Sequence, residues 1–145
     1  MIFGSLKMGL IAVVPNIFPI MTVFGLMGWA DMKLNISTIM TAPIIIGIAV
    51  DDTIHFLTRY RMELPALKWN YRLANDKTIL TTGLAMITTT GILVMGFLIL
   101  IFSNFTPTAD FGLLAALTIF IALVCDLTFL PALLGLVKPR IDQDD

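Results

Sequence analysis

Residues 43–61, PIIIGIAVDDTIHFLTRYR, place two adjacent aspartates, Asp51 and Asp52, and the chain's one histidine, His55, within an otherwise apolar run. The pattern reads as a helix. Positions four apart share a helical face, so Pro43, Gly47, Asp51, His55 and Arg59 form one slowly drifting stripe. Asp52 is turned about 100° from Asp51, so the two carboxyls address neighbouring surfaces. His55 lies four residues after Asp51 and three after Asp52, within side-chain reach of both. Gly47 would let another helix approach closely beside Asp51. A helix leaving the membrane near Arg59 puts Asp51 about 10–12 Å inside that edge. A short aspartate cannot reach bulk water over such a distance, so local water, a cation or a bound proton must deal with its charge.

The surrounding chain makes a membrane the only reasonable solvent. Of its 145 residues 58% are hydrophobic and 13% charged, with a mean hydropathy of +0.96; soluble domains carry about 25% charged residues. The apolar residues come in four blocks, at about 8–30, 35–58, 78–102 and 109–136, and about 20 such residues suffice to span the bilayer core as a helix. The expectation is an all-α membrane protein: a single transmembrane region over 1–145, with a cytoplasmic interfacial loop at 59–77 and a cytoplasmic tail at 137–145. The first block is too long and too proline-rich for a removable secretory signal. Basic residues are too few and scattered to track phosphates, so nucleic acid is not an expected partner. The lone Cys125 offers neither a disulfide nor a paired metal motif and reads as a small packing residue.

Basic residues set the orientation. Arg59, Arg61, Lys68, Arg72 and Lys77 fall between the second and third blocks, Lys138 and Arg140 follow the fourth, and Lys7 precedes the first. Lys and Arg collect in short cytoplasmic loops, so both termini are expected inside, with Lys33 the one exception. Trp29 would anchor the outer edge, and Tyr60, Trp69 and Tyr71 the inner headgroup zone. The inner loop is expected to lie on the membrane surface, broken at Pro65.

The remaining spans supply polar and small residues at chosen places. Pro15 and Pro19 should bend or open the first helix locally. The first half of the third span is rich in threonine, and Thr81, Thr88 and Thr89 are candidates to line a hydrated passage, although threonine in a membrane helix often only bonds its own i−4 carbonyl. The fourth span carries a small-residue face of Ala115, Thr118, Ala122 and Cys125. Its Asp126 reads as a structural carboxyl nearer the inner edge, accepting bonds from the inner loop or from amides freed where Pro131 loosens the helix.

A charged aspartate at mid-membrane costs about 2.5–3.5 kcal/mol even on the lenient insertion scale, so Asp51 and Asp52 are functional candidates. Two neighbouring carboxyls poorly supplied with water titrate as one unit, binding and releasing a proton between them. His55, whose imidazole normally titrates near about 6.5, could pass that proton to the cytosol. Carboxylate and threonine oxygens could equally hold a sodium ion, so the coupling ion is H⁺ or Na⁺, with no other cofactor and no resident metal.

The sequences GLIAVVPNIFPIMTVFGLMG, PIIIGIAVDDTIHFLTRYR, SNFTPTADFGLLAALTIF and DLTFLPALLGL together resemble the resistance–nodulation–division superfamily of exporters. The nearest branches are the MMPL and hopanoid-exporter-like proteins, kin to transporters with a sterol-sensing domain. The resemblance implies a four-helix transmembrane portion of a half bundle, N-in/C-in, in the inner (cytoplasmic) membrane. It implies that Asp51 and Asp52 are the cation-coupling carboxylates of a proton-driven exporter of lipidic or hydrophobic molecules. Family members have about twelve spans and two extracytoplasmic domains, so this chain is expected to be a C-terminal portion that works with a missing transporter half or other subunits. One alternative is a sterol- or hopanoid-sensing module that regulates a partner without transport. An enzyme is not expected: an intramembrane aspartyl protease needs two aspartates on different helices at one depth, and Asp51 and Asp52 are consecutive.

Overall fold

The computed structural model describes the backbone of residues 6–29, 31–33 and 35–137. These form α1 (Leu6–Trp29), α2 (Ile36–Ala66), α3 (Tyr71–Thr78), a π-helical turn (Ile79–Gly83), α4 (Leu84–Ile99), a 3₁₀ turn (Leu100–Phe102) and α5 (Thr106–Val137). The protein is an all-α membrane protein, with no strand among the described residues. Three stretches are long and apolar enough to cross a membrane: Thr38–Ala66, Tyr71–Phe102 and Thr106–Leu136. Helix α1, 24 residues of almost wholly apolar sequence, is of matching length. The tail from Lys138 onward and the side chain of Lys7, both used above to orient the chain, lie outside what is described.

Helix α5 is the hub, packing against α1, α2 and α4. Its small face is the reason: Ala115, Thr118, Ala122 and Cys125 are all buried and let neighbouring backbones come close. Val23 and Met27 meet Leu114 toward one end. Phe56, Leu57, Tyr60 and Leu64 meet Leu130 and Leu134 toward the other. Successive long helices are therefore antiparallel. Bulky side chains such as Leu84, Ile87, Ile92, Met95 and Ile99 of α4 stay exposed, as a lipid-facing or partner-facing surface requires.

Asn35 starts α2 with a reciprocal cap: its side chain accepts from the Thr38 amide at 2.9 Å, and its own amide donates to Thr38 Oγ1 at 2.8 Å. The segment expected as an interfacial loop is mostly helical. Helix α2 runs on past Pro65 to Ala66, a turn bends the chain at 67–70, and α3 leads directly into α4. Two features sustain this. Lys68 and Trp69 adopt left-handed backbone at φ of 52° and 61°, returning amides to Pro65 and Leu64 carbonyls at 3.2 and 2.9 Å. Glu63, buried, then accepts from Arg59 and from Lys77, each at 2.7 Å, clamping the end of α2 to α3. Tyr60 is wholly buried, and Trp69 and Tyr71 pack on the same core. These rings also close the end of the bundle, Tyr60 wholly and Trp69 and Tyr71 in part, while Trp29 is exposed.

Gly112 fixes the α4–α5 crossing. A Cβ there would lie 2.6 Å from the Phe97 carbonyl oxygen and 2.6 Å from Leu100 Cβ. Gly112→Ala is expected to destabilise the fold by about 1–3 kcal/mol through overpacking, read as a lower Tm in detergent. Gly96→Ala, where a Cβ meets nothing within 4 Å, serves as the control and leaves stability within about 0.5 kcal/mol.

Candidate functional site

Three consecutive residues of α2 address three different surroundings. Asp51 points outward with its side chain 70% exposed, and His55 Nε2 stands 3.6 Å from Asp51 Oδ1 at 68% exposure. Asp52, turned inward, is half-buried and accepts a long hydrogen bond of 3.5 Å from Thr90 Oγ1 of α4. Thr53 is fully buried on the far side. There it accepts from Asn16 Nδ2 of α1 at 3.1 Å and lies 3.0 Å from Asp126 Oδ1 of α5.

Asp51, Asp52, His55 and Arg59 line one wall of a cleft of about 820 Å³ between α2 and α4. The facing wall carries Thr81, Thr82 and Thr89, with Met86 and Leu93 supplying apolar surface. Of the threonines expected here, Thr81 and Thr89 line the cleft and Thr88 does not. All three hydroxyls bond back to i−4 carbonyls, of Lys77, Ala85 and Leu84, at 2.9–3.1 Å. Their second lone pairs remain available, so the wall is polar without being charged.

The π-helical turn at Ile79–Gly83 sets which threonines face the cleft. A wider turn inserts one residue into the helical register, and threonine hydroxyls of Thr78 and Thr81 occupy carbonyls of Ala74 and Lys77 in its neighbourhood, a back-bonding that bends helices. Gly83 ends the turn against α5, where a Cβ would sit 3.1 Å from Leu127 Cδ2.

Several expectations change. Gly47 has nothing within 4 Å of its Cβ direction among the described residues, so none of the described helices makes the close approach there. Pro15 and Pro19 are buried within an unbroken α1, on the side where Asn16 reaches Thr53. Pro131 lies inside α5, and its carbonyl accepts from Asn75 Nδ2 of α3 at 3.2 Å. Asp126 takes no bond from the inner loop; it stands at the level of Thr53, buried to 1% exposure. Asn16 and Thr53, which the sequence reading passed over, complete this polar trio. An amide in the apolar first span was the available signal.

With this geometry in view, comparison with known proteins places the chain. The MMPL family model matches residues 1–142, and the chain belongs to that family, within the resistance–nodulation–division superfamily. Among relatives it is similar to MJ1562 of Methanocaldococcus jannaschii, whose name describes it only as a membrane protein. The two are 31% identical over 131 residues, which cover 88% of this chain and 32% of the relative. The chain thus spans about a third of the length of that relative. No solved structure matches it.

The cleft has a direct chemical consequence. In a Cys125→Ala background, cysteines placed at Asp51 and Thr89 should react with a water-soluble maleimide at least about tenfold faster than one at Thr53, because modification needs a solvent-reached thiolate. Mass shifts over time measure this, and equal rates at the three positions would contradict the cleft.

Proposed function

We propose that this four-helix unit serves in an MMPL-type secondary exporter of the inner (cytoplasmic) membrane, coupling proton flow through Asp51 and Asp52 to the export of lipidic or hydrophobic molecules. The observation that carries the reading is the cleft itself: two adjacent carboxyls and an imidazole face a threonine wall within the apolar part of the bundle. Carboxyls placed there at several kcal/mol of insertion cost need a purpose that packing does not provide, since the Asp51 side chain is largely exposed. Each carboxyl has one protein partner beside it, His55 for Asp51 and Thr90 for Asp52. That leaves oxygen valences for water or a proton. Sodium is the other candidate ion, with carboxylate and threonine oxygens as its ligands.

The exposed surface beside Gly47 and Asp51 supports a partner there, in the form of further transporter helices from the other half or another subunit. With the basic inner junction cytoplasmic, both chain ends lie inside. Transport rather than enzymatic chemistry fits the pair. Depth no longer argues against a protease, because Asp126 and Asp52 share a level on different helices. What argues against it is access: Asp126 is sealed from the cleft, and the two acids share no open site for a substrate bond. The apolar stretches of the cleft walls, Ile48, Met62, Met86 and Leu93, also suit a flat lipid, as a sterol- or hopanoid-sensing module would need.

One experiment separates the readings. Asp51→Asn and Asp52→Asn in the complete transporter, reconstituted in liposomes, should each reduce export driven by a pH gradient to background while folding and lipid binding persist. Undiminished export in both variants would remove the coupling reading and leave the sensor.

A further inference from the structure

Among the described residues two buried carboxyls, Glu63 and Asp126, stand outside the coupling reading, and Glu63 is paired with Arg59 and Lys77 while Asp126 is not. Its surroundings are unusual for a structural acid. It is 1% exposed, and among the described residues no basic side chain pairs with it. Its Oδ2 is buried without a hydrogen-bond partner. Structural carboxylates in interiors are held by several donors or a cation, because an ion removed from water costs several kcal/mol otherwise. Here the hydroxyl of Thr53 donates to the carboxyl, at 3.0 Å from its Oδ1.

That hydroxyl has one hydrogen and two acceptors at the same distance: Asp126 Oδ1 at 3.0 Å and the Ala49 carbonyl at 3.0 Å. It also accepts from Asn16 Nδ2. Two complete arrangements follow. With Asp126 ionised, Thr53 donates to the carboxylate and the Ala49 carbonyl keeps only its backbone bond. With Asp126 carrying a proton, the carboxylic O–H donates to Thr53 Oγ1, and the Thr53 hydrogen turns back to Ala49. Thr53 then uses one donor and both acceptor sites. No heavy atom needs to move between the two.

We propose that Asp126 is a second proton-binding site of this unit, lying behind the Asp51/Asp52 cleft, with the Thr53 hydroxyl switching between Ala49 and Asp126 as the proton is taken up and released. One proton from water is bound and the carboxyl charge falls from −1 to 0; nothing else is consumed. The titratable group facing it is Asp52 from α2, whose charge reaches it electrostatically. Helix α1 presents the neutral Asn16, α4 presents no charged side chain, and α3 holds Lys77 engaged with Glu63. On α5 itself Cys125 is the adjacent titratable group.

The proposal deepens the coupling reading above and is tested apart from it. Infrared spectra of the full-length protein in lipid, recorded across pH, should contain a protonated-carboxyl band that titrates. One component of the band should be lost in Asp126→Asn and retained in the Asp51→Asn/Asp52→Asn double variant, whatever Asp51 and Asp52 themselves contribute. A band unchanged in folded Asp126→Asn, or an Asp126 fixed in one protonation state from about pH 5 to about pH 9, overturns it. Should Asp126→Asn fail to fold, the wild type supplies the readout. A hydrophobic carbodiimide, which reacts with protonated carboxyls, should label Asp126, told apart from Asp110 on the same helix by peptide fragmentation, at acidic pH and spare it at alkaline pH; Asp126 labelling absent throughout overturns the proposal. Failure of gradient-driven export to depend on Asp51 and Asp52 would sink the coupling reading while the Asp126 band is judged on its own.

Discussion

A polar side chain inside a membrane bundle must find its hydrogen bonds within the protein, because no water or lipid group will supply them. In this chain the requirement is met at one level by Asn16, Thr53 and Asp126, contributed by α1, α2 and α5. Apolar contacts alone do not fix how helices slide past one another, since many registers bury similar area in lipid. A three-helix hydrogen-bond chain does fix it: displacing any helix by one residue, about 1.5 Å, breaks it. The small face of α5 lets the three helices come close enough for short side chains to meet, and Gly112 brings α4 onto the same hub near its other end. The register of the bundle and the depth of its acids are therefore set together.

The tripeptide Asp51–Asp52–Thr53 shows how a helix divides one polar patch among three environments. Each residue is rotated about 100° from the last, so consecutive side chains face the open cleft, α4, and the α1–α5 interior. The two carboxyls point to neighbouring surfaces of α2 and not to one point. They are two acids with different access to water, joined by backbone to a hydroxyl that serves a third acid. Charge at the cleft is accordingly felt in the packed interior without any side chain crossing α2.

The fold was largely legible because apolar blocks of spanning length and the basic junction are strong signals. Asp51, Asp52 and His55 stood out for the same reason: acids are rare in such runs. Three features were hidden. Asp126 reads from the sequence as lying nearer the inner edge, whereas its bond to Thr53 puts it at the level of that residue. Counted from the helix ends at Ala66 and Val137, Thr53 and Asp126 both lie about 17–20 Å along their helices. Thr53 was masked by its acidic neighbours, and its role depends on contacts 37 and 73 residues away in sequence. The π-helical turn has no compositional signature apart from clustered threonines, yet it decides that Thr89 rather than Thr88 faces the acids. Tyr60, Trp69 and Tyr71 were read as headgroup anchors from their position beside basic residues. The Glu63 clamp to Arg59 and Lys77 also draws that segment into a closed cap, and the rings close the space beneath it.

The two seams of α2 differ in strength, and this has a mechanical consequence. Toward α1 and α5 it is joined by hydrogen bonds of 3.0–3.1 Å among wholly buried groups, each costly to break because neither partner has water to turn to. Toward α4 the described residues make a 3.5 Å contact of Thr90 with Asp52, flanked by an open cleft and by threonines already satisfied on their own helix. The cap at Glu63 ties α2 to α3, and α3 continues through the π-helical turn into α4, so the seam is hinged at one end and free along its length. A change of charge on Asp52 alters this polar contact across it. The bundle therefore yields first between α2 and α4, beside the acids, while the α1–α2–α5 core keeps its register.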